Sequence, residues 1–356
     1  MVPVVPGGSS PVVEELVGSE VEALVGSVVE VVSVVSEVGC GPVVSASVVS
    51  AGEVAQPRQT VNNQGARQRC CMMRQGRTGR RGGAMRAGGP VLRYSRAMKD
   101  RVIVITGGSA GIGAALAEEV ARRGARPVIA ARRAGPLAEV AARIEGAIAI
   151  VTDVTRREEV EHLMAEAVAR AGRVDVWVNN AGRGISRAVS ELTDEDLDEM
   201  FLVNVKSALY GMQAVLPHFK ARGTGHIINV SSMLGRVPLA VVRSAYSAAK
   251  HALNSLTTNL RMELRDTHPG IHVTTVLPGV VATDFGTHAR HGGMDSRSLP
   301  GAQDVEEVSR VIADAIESPR AEVYTRPEYH KMSAAYYAAE DVAVLEGQPP
   351  FVAPRR

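Results

Sequence analysis

Beyond residue 97 the chain contains no cysteine. Its three cysteines, Cys40, Cys70 and Cys71, all lie in the first 97 residues. The remainder needs no disulfide, which fits a reducing, cytoplasmic compartment. Cys70 and Cys71 are adjacent and lack histidine partners, a poor spacing for ligation, so no metal is expected. No run of about 20 apolar residues is present, so no membrane span is expected. No basic segment precedes an apolar core at the N-terminus, as a secretory signal would require. Net charge is only +2, which gives no reason to invoke a nucleic-acid partner.

The absences are unevenly spread. Residues 1–57 carry glutamates but no lysine or arginine, and residues 58–97 carry ten arginines and no acid. Taken together, residues 1–97 are rich in Val, Gly, Ser and Arg, with frequent breakers and little sustained period. Residues 1–97 are therefore expected to be a low-complexity, disordered extension. Arginine outnumbers lysine throughout, as GC-rich coding would give, and Met98 leads straight into the first strand. Met98 is the expected natural start, with Met85 the second choice. A basic nucleic-acid arm is the runner-up reading of residues 58–97, weakened by the scarcity of aromatics.

What is present centres on Tyr246 and Lys250, four residues apart, with Ser232 fourteen residues before the tyrosine. On a helix, residues i and i+4 share a face, so phenol and ammonium point the same way. A cation beside a phenol favours the phenolate, which predicts a tyrosine pKa lowered toward working pH. A serine hydroxyl from a strand end would hold a carbonyl oxygen against that tyrosine. Such a site moves a proton at an oxygen while a hydride moves at the adjacent carbon. Alone, the spacing equally describes a solvated pair on a surface helix.

A second motif lies upstream. Residues 101–106 form a β-branched run typical of a buried parallel strand. Then comes Gly107-Gly108-Ser109-Ala110-Gly111-Ile112-Gly113, followed by a helical stretch over residues 114–123. Strand, glycine-rich turn and helix in that order form the context of a dinucleotide site. Glycine lets the backbone approach a pyrophosphate, and the helix N-terminus offers free N–H groups. The next strand, residues 126–131, ends in Arg132 and Arg133 where an acidic residue would bond the ribose hydroxyls of NAD. A guanidinium fork suits a 2′-phosphate, so NADP(H) is the expected cofactor.

With these residues in place, the chain resembles the short-chain dehydrogenase/reductase family. The resemblance rests on the glycine turn, Asp153-Val154, residues 179–182, Asn204, Ser232, Tyr246 with Lys250, and Pro278-Gly279 followed by Thr283. It covers roughly residues 99–326. It implies an α/β fold: a Rossmann-like, doubly wound parallel sheet in a single domain, expected over residues 98–326. It also implies roles. Tyr246 is the catalytic acid/base; Lys250 lowers its pKa and holds the nicotinamide ribose; Ser232 orients the substrate oxygen; Asn204 keeps a water in a proton relay. Gly107, Ser109, Gly111, Ile112 and Gly113 cradle the phosphates. Asp153 and Val154 contact adenine, and residues 179–182, including Asn180, Ala181 and Gly182, line the adenosine side. Backbone near Pro278 and Gly279, with Thr283, holds the carboxamide. The interval from Ser232 to Tyr246 is one residue longer than the family pattern, which places the extra residue in the loop over residues 236–244.

Strands and helices alternate beyond residue 126, which predicts a parallel sheet. One helix is expected over residues 194–221, with Asp194 as its cap, and another over residues 246–266. The leucines of the second helix read as core, and the resemblance implies that such helices pair between subunits in a homodimer or homotetramer. Residues 280–302 read as a substrate-side lid, with His288 and His291 as exposed loop histidines or substrate contacts. Residues 327–356 read as a tail whose tyrosines, Tyr329 among them, cap the pocket or an interface. The leading reading is an NADP(H)-dependent oxidoreductase acting on a small carbonyl/alcohol pair. The alternatives are a silent dinucleotide-binding sensor or scaffold, and sugar-nucleotide epimerase chemistry. The first does not need the acid/base trio, and the second resembles chains with a shorter glycine turn and a larger C-terminal region.

Overall fold

The computed structural model describes residues 98–351, so the expectations for residues 1–97 and 352–356 lie outside it. Seven strands are present: β1 (Val102–Thr106), β2 (Arg126–Ala131), β3 (Ile148–Val151), β4 (Val176–Asn179), β5 (Gly225–Val230), β6 (Ile271–Leu277) and β7 (Glu322–Tyr324). They form one sheet in the order β3-β2-β1-β4-β5-β6-β7, and every pairing is parallel.

The sequence of β1 explains its place. All five of its residues are buried, because helices cover both faces of the sheet. Alternate side chains then enter opposite cores. Ile103 and Ile105 pack with Leu116 and Ile312 on one face, under α1 (Gly111–Arg122), α2 (Ala134–Ala142) and α7 (Val305–Glu317). Val102 and Val104 pack with Leu163 and Phe219 on the other, under α3 (Arg157–Ala171), α5 (Ser207–Arg222) and α6 (Ser244–Arg265). This is the doubly wound arrangement that the alternation of elements predicts.

The order reverses between β1 and β4, which opens a crevice at the carboxyl ends of those strands. A buried polar chain fixes the neighbouring elements. Trp177 Nε1 donates to Asn179 Oδ1, Asn179 Nδ2 to Asn229 Oδ1, and Asn229 Nδ2 to Thr257 Oγ1, each at 2.8 Å. It links β4, β5 and α6 and leaves the strand ends in fixed register.

Two local readings are corrected. The helix expected over residues 194–221 is interrupted: α4 (Asp194–Phe201) passes through a π-helical turn, Leu202–Lys206, into α5. Its cap is Thr193 rather than Asp194. Thr193 accepts from Asp196 N at 3.3 Å while Asp196 accepts from Thr193 N at 3.4 Å, a capping box that leaves Asp194 at the first helical position. The segment read as a tail after β7 is partly helical. It forms α8 (Pro327–Ala338) and α9 (Val342–Glu346). Among the described residues, no helix is long and apolar enough to cross a membrane.

Candidate active site

The glycine turn leaves β1 and is tied to both neighbouring strands. Thr106 Oγ1 accepts from Asn180 N at 3.0 Å and Ala181 N at 3.1 Å, which binds the end of β1 to the loop after β4. Gly108 N donates to Ala130 O of β2 at 3.0 Å. Gly111 has φ +53°, and a methyl group there would lie 3.3 Å from Thr283 Cγ2. A methyl group on Gly113 would collide with the Gly107 carbonyl oxygen. The N-cap of α1, Ala110, makes no side-chain bond, and no acid stands in the first turn. The first N–H groups of α1 are thus open to an anion. These features fit a dinucleotide diphosphate.

Ser232 follows β5, and Tyr246 and Lys250 stand in the first two turns of α6. All three are buried, at 7%, 7% and 3% exposure. Lys250 Nζ donates to Val230 O at 2.9 Å and lies 5.6 Å from the Tyr246 ring centre. The expectation that this cation lowers the tyrosine pKa is corrected here. Burial pushes Tyr246 up to about 12, against the opposing effects of a Ser232 hydrogen bond and the Arg243 charge. Burial also pushes Lys250 down to about 7. The lysine points to a carbonyl and loses charge itself, so desolvation wins at both groups. The turn Met233–Gly235 and the loop up to Ser244 absorb the long interval before Tyr246.

Asn204 sits in the π-helical turn at 1% exposure. Its Nδ2 donates to Arg183 O at 2.9 Å and Met200 O at 3.0 Å, and its Oδ1 accepts from Arg183 N at 3.2 Å. A methyl group on Gly182 would lie 2.8 Å from Asn204 Oδ1 and 3.7 Å from Lys250 Nζ, so the two side chains meet across that glycine. π-helical turns recur at functional sites because the extra residue re-aims a side chain.

One cavity of about 1320 Å³ joins these parts. Its wall includes Gly107, Gly111 and Ile112 from the glycine turn together with Ser232, Tyr246 and Lys250. Asn180, Ala181, Gly182, Pro278, Gly279 and Thr283 also line it. Other expected site residues lie off this wall. Ser109 and Gly113 belong to the turn behind it. Asn179 is a structural tie, bonded to Ala208 O and Asn229. Asp153 Oδ1 accepts from Thr155 N at 3.0 Å and Thr155 Oγ1 at 2.7 Å, closing a turn rather than capping α3. Val154 packs into the core. Arg132 and Arg133 are exposed just past β2; Arg133 caps α2, its carbonyl accepting from Leu137 N at 3.1 Å, and its charge helps to lower the Asp284 carboxyl pKa.

The loop over residues 280–302 forms part of the wall and is anchored. Asp196, fully buried, takes Arg187 at 2.8 Å, His291 at 2.7 Å and Arg290. Burial alone would raise the Asp196 carboxyl, but His291, the Thr193 N–H and the two arginines hold it well below the usual range. His291 therefore faces Asp196 and not the cavity, while His288 is exposed on the cavity wall.

Two wall residues, Phe285 and Arg243, were absent from the sequence-derived site, and a third, Tyr329, was read there only as a tail tyrosine over the pocket or an interface. Phe285 stacks edge-on against Tyr246 at 5.5 Å between ring centres. Tyr329, from α8, lays its hydroxyl over Gly279. Arg243 precedes α6, and its i,i+3 spacing to Tyr246 was the available signal. Among the described residues, no group of three or more acidic, histidine or cysteine side chains could hold a metal ion.

Comparison with known proteins agrees with this geometry. The chain is 35% identical over 235 residues to an uncharacterized oxidoreductase, YxnA, of Bacillus subtilis, covering 64% of this chain and 65% of the relative, just under two thirds of its length. It is 39% identical over 191 residues to an uncharacterized oxidoreductase of Staphylococcus saprophyticus, covering 52% of this chain and 80% of the relative. Among solved structures it is similar to a short-chain dehydrogenase/reductase from Burkholderia phymatum in complex with NAD, at 25% identity and TM-score 0.63, over 74% of this chain and 100% of that one. It is also similar to an alcohol dehydrogenase from the archaeon Thermococcus sibiricus complexed with 5-hydroxy-NADP, at 28% identity and TM-score 0.57, over 65% and 98% of the two chains. The family described as short chain dehydrogenase matches residues 101–292. The sheet order, the glycine turn against β4 and the cavity that reaches Tyr246 agree with that match: the chain belongs to the short-chain dehydrogenase family of oxidoreductases.

Proposed function

We infer that the chain is an NADP(H)-dependent oxidoreductase that interconverts a carbonyl and an alcohol. The observation that carries this reading is the single cavity shared by the glycine turn and the Ser232, Tyr246 and Lys250 side chains. The bound dinucleotide supplies or accepts the hydride. Gly107, Ser109, Gly111, Ile112 and Gly113 offer backbone to its diphosphate, with the uncapped α1 terminus behind them. Arg132 and Arg133 carry exposed side chains just past β2, within reach of a 2′-phosphate. Similar structures carry either NAD or an NADP derivative, so the preference for NADP(H) rests on these two arginines. Asp153 and Val154 lie on the adenine side, Asn180, Ala181 and Gly182 beside the adenosine, and Pro278, Gly279 and Thr283 at the carboxamide.

Ser232 holds the substrate oxygen against Tyr246. Tyr246 is held as a neutral phenol, which is the form that gives a proton to a carbonyl oxygen. Lys250 fixes the ribose side and, with Asn204 across Gly182, offers a path for re-supplying that proton. The active species is a homodimer or homotetramer, supported by α6, where Leu256 and Leu260 are only partly buried and Met262 is 61% exposed.

The test uses the full chain with NADPH and NADH, each against aldehydes, ketones and β-ketoacyl thioesters. Tyr246→Phe lowers turnover by about 10²–10⁴-fold and retains NADPH binding. Arg132→Ala weakens NADPH more than NADH. Normal turnover in Tyr246→Phe refutes the mechanism, and equal affinity for the two dinucleotides in the wild type refutes the cofactor preference.

A further inference from the structure

Arg243 is a cation on the cavity wall that, among the described residues, has no carboxylate counter-ion. It is the last residue before α6, three positions ahead of Tyr246. Its side chain is half-buried, and Nη1 donates to Ile185 O at 3.0 Å. A guanidinium has five N–H donors, so most of its capacity is unspent. The other arginines on the same wall are paired. Arg297 meets Asp284 at 2.7 Å, Arg143 meets Glu118 at 2.9 Å, and Arg326 meets Glu307 at 2.9 Å. Among the described residues, no carboxylate pairs with Arg243. Holding a cation partly out of water with no opposing charge is unfavourable, and an arriving anion relieves that cost. Burial accordingly lowers the Arg243 pKa, with Tyr246 the opposing influence.

Its neighbours fix where such an anion would sit. A methyl group on Gly184 would lie 3.0 Å from Arg243 Nη1 and 3.0 Å from Phe285 Cε1. The Phe285 ring in turn meets the Tyr246 ring edge-on at 5.5 Å. Arg243, Phe285 and Tyr246 thus meet at one corner of the cavity wall.

We propose that Arg243 binds a carboxylate of the substrate, so that the reacting pair is a keto acid and the corresponding hydroxy acid. The inference rests on the oxidoreductase reading above. In reduction, the hydride of NADPH forms a C–H bond at the keto carbon and the C=O π bond breaks. The electron pair on oxygen takes the Tyr246 proton, and NADP⁺ and hydroxy acid leave. The carboxylate on Arg243 is unchanged throughout. A guanidinium and a carboxylate form two parallel charge-assisted bonds, which orients the carbonyl as well as binding it.

The test compares 2-, 3- and 4-keto acids with their methyl esters, using the full chain and NADPH. Turnover gives the acid-to-ester ratio in kcat/KM. Calorimetric titration of each probe into the NADPH complex of Tyr246→Phe gives the same ratio for binding. For at least one chain length the acid is favoured by about tenfold or more. Arg243→Gln brings the ratio close to one, and Arg243→Lys, which keeps the charge, retains a preference for the acid. The proposal is overturned if wild type handles acid and ester alike across the series. It is equally overturned if folded Arg243→Gln keeps the preference while its pH profile moves for both probes, which is the signature of an arginine that only tunes Tyr246. Should Arg243→Gln not fold, the wild-type ratio and its persistence in Arg243→Lys decide. Failure of the oxidoreductase reading looks different: no probe oxidises NADPH, while the calorimetric ratio still reports on Arg243.

Discussion

Burial sets the starting protonation of Tyr246 and Lys250, and it acts on the two in opposite directions. The phenol is pushed up to about 12 and the ammonium down to about 7, so both favour their neutral forms. Linkage turns this into a stability prediction. Between about pH 7 and its ordinary 10.5, Lys250 keeps its proton in the unfolded chain and sheds it in the folded one. The unfolded state then binds more protons, so stability rises with pH across that window, and the cost of burying the ammonium is fully present below about pH 7. Above its ordinary value of 10, Tyr246 reverses the sign, because the folded phenol keeps a proton that the unfolded one loses. Urea midpoints of wild type should therefore climb from pH 7 to pH 9.5 relative to those of Lys250→Met. Parallel curves for the two proteins count against a buried, depressed lysine. That these two residues share one helix and one cavity wall was readable from their spacing. Their protonation was not, because spacing says nothing about the Val230 carbonyl that draws the ammonium away.

At the scale of elements, glycine placement and one buried carboxylate carry most of the design. Gly113 opens the second turn's worth of close packing between α1 and the strand end, and any side chain there meets the Gly107 carbonyl. Gly113→Val should destabilise the fold by about 1–3 kcal/mol through overpacking and weaken NADPH binding with it; thermal midpoint and NADPH titration read the two effects. An unchanged NADPH affinity contradicts the packing argument. Asp196 secures the 280–302 loop through Arg290 and His291 and holds Arg187 as well. Asp196→Asn leaves Arg187 and His291 without their carboxylate and Arg290 with Glu199 alone, so trypsin should cut after Arg290 and Arg297 faster than in wild type. An unaltered cutting rate means the loop is held by something else. Strands were legible because parallel strands buried on both faces are continuous β-branched runs; β2 has the bounds read from sequence, residues 126–131. The break at Leu202–Lys206 was not legible, because an apolar helical pattern looks the same on either side of a π-helical turn. Thr193 was passed over for Asp194 because both are good capping residues, and only the reciprocal bond to Asp196 separates them.

At the scale of the whole molecule, the sheet order brings together residues far apart in sequence. Glycines near residue 110, Ser232, the Tyr246 helix and the loop after β6 meet at one cavity because β1, β4, β5 and β6 are neighbours in the sheet. The motifs announced these parts, and the parallel alternation announced the sheet. The contributions of Arg243, Phe285 and Tyr329 depend on loop paths and on α8, which carry no periodic signal. The proposed reaction passes a hydride between a dinucleotide and a carbonyl carbon in this cavity, with Tyr246 as the proton donor. The most direct measurement gives the full chain NADPH deuterated at the transferring C4 position, with a panel of ketones, aldehydes and keto acids, and locates the label by mass spectrometry. Deuterium is expected on the carbinol carbon of product made by wild type, and its loss in Tyr246→Phe that still binds NADPH. Label transferred by Tyr246→Phe at the wild-type rate, or product formed by wild type without label, would contradict that reaction.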